Sequence, residues 1–281
     1  MSAGADRDFW KMSGSGNDFI FFDARGRDGT DELETPSEIV ALCAQHLGVG
    51  ADGVVFVDLA PDAAFAIRYY NADGSRASLC GNASLCAAQS AVLLGLAQND
   101  RRFDFISDAG RVSALVGVGG IASVRLAPVT GLEEIAPEQP LPGENRLGYA
   151  VVGVPHLVVM VADINDVDVR GRGASLRHSA YREPVGANVN FVAPSGEAGC
   201  WAIRTYERGV EAETYACGTG AVATAACLAR WGETPVGEEV ALTTASGREL
   251  RVRLPVLPDE CWSELSGEGR LVFSGVLKGF R

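Results

Sequence analysis

Two of the seven cysteines in this 281-residue chain are each followed by glycine and then by a run of small apolar residues. Cys80-Gly81-Asn82 leads into Ala83 to Ala97, and Cys217-Gly218-Thr219-Gly220 leads into Ala221 to Trp231. Runs with so few polar positions read as buried helices. The first-turn N–H groups of a helix have no partner within it, so they attract an anion and lower the pKa of a thiol placed there. Two such cysteines facing across a cleft could hold one carboxylate between two helix starts. A thiolate would remove the proton from one face of the neighbouring carbon, and a thiol would supply one to the other. The same N–H groups would stabilise the charge that develops as the proton leaves. That chemistry is racemisation or epimerisation of an amino acid without a cofactor. Pyridoxal phosphate, the usual alternative, needs a Schiff-base lysine. Lys11 and Lys278 are the only lysines, and both lie near the termini, outside the cysteine motifs.

The remaining thiols read differently. Cys43, Cys86, Cys200, Cys227 and Cys261 have no glycine partner or repeat mate and are expected to be packed core residues. An odd, widely spaced set in a chain this long argues against disulfide staples, a Cys80–Cys217 bridge included. A zinc site from Cys80, Cys217 and His156 would lack both a C-x-x-C pair and a fourth ligand, so neither metal nor cofactor is expected. The formal net charge of -12, with no dense basic run, repels phosphate backbones and anionic lipid, which excludes nucleic acid and membrane as partners. The N-terminus shows no basic start leading into an apolar run, and the most apolar stretch, Val151 to Val161, is broken by Gly153, Pro155 and His156. A cytoplasmic protein acting on a small amino-acid substrate is the expectation.

The elements that position the two cysteines recur. Gly16 and Gly153, Gly50-Ala51-Asp52 and Gly186-Ala187-Asn188, Ile67-Arg68-Tyr69-Tyr70 and Ile203-Arg204-Thr205-Tyr206, and the two Cys-Gly pairs occur in one order, each pair roughly 137 residues apart. Short strands at Phe19–Phe22, Val54–Val57 and Ile67–Tyr70 have counterparts at Leu157–Val161, Val189–Val192 and Trp201–Tyr206. The fold expected is an α/β (α+β) duplication of two pseudo-symmetric domains. Each would be a mostly antiparallel curved sheet or barrel around a central helix, with the active site in the cleft between them. Residues 1–126 with 270–281 form one domain and 127–269 the other, breaking near Pro128-Val129-Thr130-Gly131. Gly48-Val49-Gly50-Ala51-Asp52-Gly53 imitates a dinucleotide fingerprint, but a helical stretch, Ile39 to Leu47, precedes it and a strand follows, so it reads as a turn.

On these residues the sequence resembles the diaminopimelate epimerase family, over nearly the whole chain. The resemblance is carried by Gly16-Asn17-Asp18-Phe19, Gly50-Ala51-Asp52-Gly53, Asn71-Ala72-Asp73-Gly74-Ser75, Asn188-Val189-Asn190-Phe191-Val192, Tyr206-Glu207-Arg208-Gly209-Val210 and the two cysteine motifs. It implies interconversion of L,L- and meso-diaminopimelate without metal or pyridoxal phosphate, in lysine and peptidoglycan synthesis, and commonly a homodimer. Carried over, Cys80 and Cys217 are the acid/base pair, with His156 and Glu207 tuning their pKa values. Gly81, Asn82, Gly218 and Thr219 hold the reacting carboxylate, and Asn17 and Glu207 approach the reacting amine. Asn71, Asn188 and Arg208 hold the distal end, where a guanidinium fork suits a carboxylate. The alternative readings are a tight turn for Asn71 and Asp73, compatible with the role above, and a satisfied strand-end histidine for His156. Val154 replaces the family's usual asparagine in Gly-Asn-Pro-His, Ala83-Ser84-Leu85-Cys86 replaces Gly-Ala-Arg-Cys, and one extra residue separates Arg208 from Cys217. Val154 therefore leaves open a same-fold racemase of another amino acid, such as histidine or lysine.

Overall fold

The structure is a computed structural model that describes residues 6–26, 32–136, 140–178, 186–196, 199–256 and 262–279; Cys261 and the first five residues, both used above, lie outside them. The chain divides into two compact units, Met1–Val124 with Gly267–Arg281, and Arg125–Ser266. The first contains β1 (Arg7–Gly14), β2 (Asn17–Asp23), α1 (Pro36–Cys43), β3 (Gly53–Asp58), β4 (Phe65–Asn71), β5 (Arg76–Ala77), α2 (Gly81–Leu93), β6 (Phe103–Ser107), β7 (Gly110–Val116) and most of β8 (Ile121–Leu126). The second contains β9 (Thr130–Ile135), β10 (Glu144–Val152), β11 (Val154–Val161), α3 (Val169–Arg177), β12 (Asn188–Pro194), β13 (Cys200–Glu207), β14 (Ala212–Thr214), α4 (Gly218–Trp231), β15 (Glu239–Thr243) and β16 (Glu249–Arg253). The last strand, β17 (Ser263–Leu277), ends in the first unit.

The two units share one pairing plan. β1 and β2 are antiparallel, β2 and β3 parallel, β3 and β4 antiparallel, β4 and β6 parallel, and β6 and β7 antiparallel. β10, β11, β12, β13, β15 and β16 repeat that series step for step. In the first unit β17 pairs with both β1 and β8, which closes an eight-stranded ring. The central helices fill these sheets because most of their residues are small and uncharged. Along α2 every residue from Gly81 to Ala88 is buried, and along α4 every residue from Gly220 to Leu228. The opposite sheet faces pack on α1, with Ile20, Phe22, Val54, Phe56 and Tyr70, and on α3, with Leu157, Val159, Val189, Phe191 and Tyr206.

Several boundaries differ from the sequence reading. The helix expected over Ile39 to Leu47 is Pro36–Cys43: Thr35 caps its start, its hydroxyl accepting from Glu38 N at 3.4 Å, and the chain turns extended at Ala44. The first five residues of the false fingerprint lie in the irregular segment that follows, and its last, Gly53, opens β3. Both central helices begin directly after their cysteines, not at Ala83 and Ala221, because a glycine carries the chain into the first turn. α2 stops at Leu93 and not Ala97, where Gly95 adopts a left-handed φ of 70°; Gly232 ends α4 in the same way at 79°. The repeat also slips. Phe19 lies beside Gly53 and His156 beside Asn188, so Asn188 corresponds to Gly53 in the sheet, not to Asp52 as the Gly-Ala-Asp motif suggests. Among the described residues no helix is long and apolar enough to cross a membrane.

Candidate active site

Each cysteine of the repeat is the N-cap of its central helix. Cys80 has φ -129° and ψ 125°, and Cys217 φ -129° and ψ 110°, the extended geometry that turns a capping side chain toward the first-turn N–H groups. The Cys80 carbonyl accepts from Ser84 N and the Cys217 carbonyl from Ala221 N, both at 2.9 Å. Neither first turn contains an acidic residue, so nothing in the helix itself neutralises its positive end. Cys217 is buried, with its sulfur 3.6 Å from Thr219 Oγ1, while Cys80 is half-buried.

The other thiols are not rivals for this chemistry. Burial pushes Cys43 and Cys227 up to about 12 and holds Cys86 well above the ordinary thiol range, with the Cys80 side chain adding to the effect on Cys86. These three stay protonated. Cys200 departs from the core reading, being half-buried at the start of β13. Cys43, Cys80, Cys86, Cys200, Cys217 and Cys227 are all thiols, none of them in a disulfide.

Within the first unit, the β1–β2 turn packs on the start of α2. A side chain at Gly14 would put its Cβ 2.6 Å from the Asn82 carbonyl oxygen, so only glycine lets the end of β1, which pairs with Asn17, come this close to Asn82. Asn71 ends β4 in a tight turn. Its N–H donates to Ser75 O at 2.9 Å, Ser75 N donates to Asp73 Oδ1 at 2.8 Å, and Gly74 takes a φ of 84°.

The second unit gathers its predicted residues around two strands. Asn188 Oδ1 accepts from the Arg208 N–H at 2.7 Å, tying the start of β12 to the end of β13. Glu207 Oε2 accepts from Thr214 Oγ1 at 2.9 Å. Arg208 Nη1 is buried with no hydrogen-bond partner among the described residues, a fork available to an anion. His156 is not the satisfied histidine of the bland reading. It is fully buried, and while Nδ1 lies 3.3 Å from Asn190 Nδ2, Nε2 has no partner among the described residues. Burial, helped by the Arg208 charge, drives its pKa down to about 3, so the ring is neutral at any working pH. Asn190 and Thr205, both buried, were given no role above. Their signal was a polar residue two places after Asn188 in an otherwise apolar strand, which puts both asparagines on one face. Among the described residues no group of three or more His, Cys, Asp or Glu side chains could hold a metal ion.

The diaminopimelate epimerase family model matches residues 9–124 and 148–253, one cysteine motif in each segment. A diaminopimelate epimerase of Gemmatimonas aurantiaca is 42% identical over 280 residues, covering 96% of this chain and 99% of that one. The chain belongs to the diaminopimelate epimerase family. Membership makes it an isomerase. A second diaminopimelate epimerase, from Aquifex aeolicus, is 40% identical over 227 residues, 78% of this chain and 80% of the relative. Among solved structures, a phenazine biosynthesis protein of the PhzF family from Bacillus anthracis superposes with a TM-score of 0.76 at 15% identity, covering 98% of this chain and 99% of the other. A hydroxyproline epimerase from Agrobacterium vitis, with trans-4-hydroxy-L-proline bound, gives 0.71 at 14% identity over 100% of this chain and 95% of the other. At those identities the likeness is one of fold, so the fold of the diaminopimelate epimerase family extends to proteins of different substrates.

Proposed function

We propose that this chain interconverts L,L- and meso-2,6-diaminopimelate by moving a proton at one α-carbon between two cysteines, without a cofactor. The observation that carries the reading is the matched placing of Cys80 and Cys217 as N-caps of equivalent central helices with nearly the same backbone angles. In the reaction the thiolate form of one sulfur takes the Cα proton, the Cα–H electron pair delocalises into the carboxylate, and the thiol form of the other returns a proton to the opposite face. Stereochemical inversion requires the two sulfurs to reach opposite faces of the same carbon. Gly81 and Asn82 with Gly218 and Thr219 would receive the reacting carboxylate on their backbone N–H groups, where its growing charge is met by two helix N-termini. Asn17 and Glu207 would take the reacting amine. Asn71, Asn188 and the Arg208 fork would hold the distal end, and His156 and Glu207 would set the protonation of the cysteines. A cytoplasmic setting goes with this reading, since both sulfurs must stay reduced.

Val154, at the start of β11, is the departure from the family pattern that bears on the substrate's distal end, and it sets the test. Incubation in deuterated water with L,L-diaminopimelate, L-histidine and L-lysine separately should show Cα deuteration of diaminopimelate alone. Exchange with histidine or lysine and none with diaminopimelate would refute the substrate assignment while leaving the two-cysteine chemistry standing.

A further inference from the structure

The second unit carries a buried chain of histidine, asparagine and threonine where the first has two aromatic rings and a valine. The sheet register pairs Val55 with Tyr69 in the first unit and Asn190 with Thr205 in the second. Phe19 and His156 occupy matching places on the adjoining parallel strands, beside Gly53 and Asn188 respectively. In the first unit the trio is Phe19, Val55 and Tyr69, all buried, with the two rings edge to face at a centroid distance of 6.0 Å. In the second it is His156, Asn190 and Thr205, also buried, and linked by hydrogen bonds. The fold accommodates apolar side chains, Phe19 and Val55, at the places of His156 and Asn190, so stability does not call for the polar pair.

The orientation of the Asn190 amide follows from its surroundings. Oδ1 accepts from Thr205 Oγ1 at 2.9 Å, and Nδ2 donates to the Leu157 carbonyl at 3.0 Å. Flipping the amide would set Oδ1 against that carbonyl, two acceptors in contact, so the flip is forbidden. The atom facing His156 Nδ1 at 3.3 Å is therefore an N–H donor, and Nδ1 must accept. A neutral imidazole that accepts at Nδ1 carries its proton on Nε2, the buried nitrogen with no partner among the described residues. The amide also touches the start of the cysteine helix. A Cβ at Gly220 would lie 2.2 Å from Asn190 Oδ1 and 3.2 Å from Cys217 Sγ, so Asn190 sits directly beneath the turn that carries Cys217.

We propose that Asn190 is a positioning residue that locks His156 in the Nε2–H tautomer, making it a fixed hydrogen-bond donor to a catalytic thiolate and not a base. This rests on the reading that His156 serves the cysteine chemistry. It also says how. With its lone pair occupied at Nδ1 and a proton on Nε2, the ring cannot take a thiol proton, but it can stabilise a sulfur that has already lost one. Thr205 completes the device by holding the amide oxygen, and the matched Phe19, Val55 and Tyr69 mark the first unit as lacking it.

The test uses the full-length protein labelled with nitrogen-15 histidine. The chain has three histidines; the other two, His46 and His178, are exposed, and His156 is fully buried, which separates its signals from theirs. His156 should show one protonated nitrogen, Nε2, and one unprotonated, Nδ1, in the wild-type protein. A proton on Nδ1, or an average of both forms, would overturn the proposal without bearing on whether the protein epimerises diaminopimelate. Asn190→Asp should move the proton to Nδ1, because a carboxylate there accepts where the amide donated. Asn190→Val, the residue of the matched position, should give mixed tautomers and lower kcat by about 10- to 150-fold, with KM changed far less, the rate equivalent of one hydrogen bond to a charged group. Should that variant fail to fold, Thr205→Val tests the same lock with a smaller change. Mixed tautomers with unchanged kcat would break the link to the thiolate and overturn the proposal. Activity of the unmodified enzyme in the same samples reports separately on the function assigned above.

Discussion

Beneath α1 the first unit buries one ammonium group, that of Lys11. Lys11 pairs with Asp18 at 2.8 Å and donates to the Gly50 carbonyl, and Asp18 and Asp52 bond one another's backbone N–H groups at 3.0 and 3.1 Å. The second unit has Tyr149 where the register places Lys11, since Lys11 lies across from Ile20 and Tyr149 across from Leu157 on the matching face. Beneath the central helices the contrast reverses. The first unit buries Phe19, Val55 and Tyr69, and the second buries His156, Asn190 and Thr205, with Asn190 beneath the first turn of α4. A duplicated fold thus keeps its strand plan and its two helix-cap cysteines, while buried Lys11 and the His156, Asn190 and Thr205 set each occur in one copy only. What both copies retain is what a two-base reaction needs from both. What only one retains belongs to a task that one side performs.

The most forceful way to break that division is at the shared feature. Cys80→Ala and Cys217→Ala should each lower epimerisation by about 10³-fold or more, because general acid and base contributions are of that size and neither sulfur can serve both faces. The comparison makes the effect symmetric. If one variant kept near-normal turnover measured by Cα inversion, the two caps would not be equivalent partners and the two-base reading would fail.

A smaller effect distinguishes the units through acid stability. His156 is neutral in the folded protein, with a pKa held down to about 3 from the usual 6.5, first by burial and then by Arg208. Well above pH 6.5 neither state binds the proton and His156 adds no pH dependence. As pH falls below that value the unfolded chain takes a proton the folded one refuses, so stability drops until the folded pKa is reached. His156→Phe borrows the residue of the matched position and removes this term. Between pH 6.5 and 4.5 the variant should lose about 2 to 3 kcal/mol less stability than the wild type, read from urea unfolding at each pH. Parallel losses in the two proteins would mean that His156 is not held neutral by its burial.

Much of this was legible in the sequence. Strand placement followed from β-branched and aromatic runs, and the paired Cys-Gly starts disclosed both central helices and their caps. The register slip was hidden, because Gly50-Ala51-Asp52 and Gly186-Ala187-Asn188 look alike while hydrogen bonding shifts the strands by one residue. That slip also concealed the Asn190 trio. Aligned by motif, Asn190 meets Val54, which faces α1; aligned by the sheet it meets Val55, on the central-helix side. The helix ends were hidden too, since a glycine in a left-handed conformation stops α2 inside an apolar run that continues past it.

The gentlest probe returns to the caps. Cysteine is a poor helix cap, because sulfur accepts hydrogen bonds weakly where the oxygen of serine accepts well. Neither central helix has a side-chain cap hydrogen bond at its start. Keeping sulfur there is therefore a local sacrifice of stability that only the chemistry explains. Cys80→Ser should stabilise the protein by about 1 kcal/mol, raising Tm by roughly 2–4 °C, while abolishing turnover. Cys217→Ser should gain less, because Thr219 Oγ1 already lies 3.6 Å from the sulfur and would compete for the new hydroxyl. Calorimetry of the two variants ranks the sites. Equal destabilisation at both would mean that the sulfurs contribute packing and not only reactivity, and the contrast between conserved chemistry and sacrificed capping would have to be withdrawn.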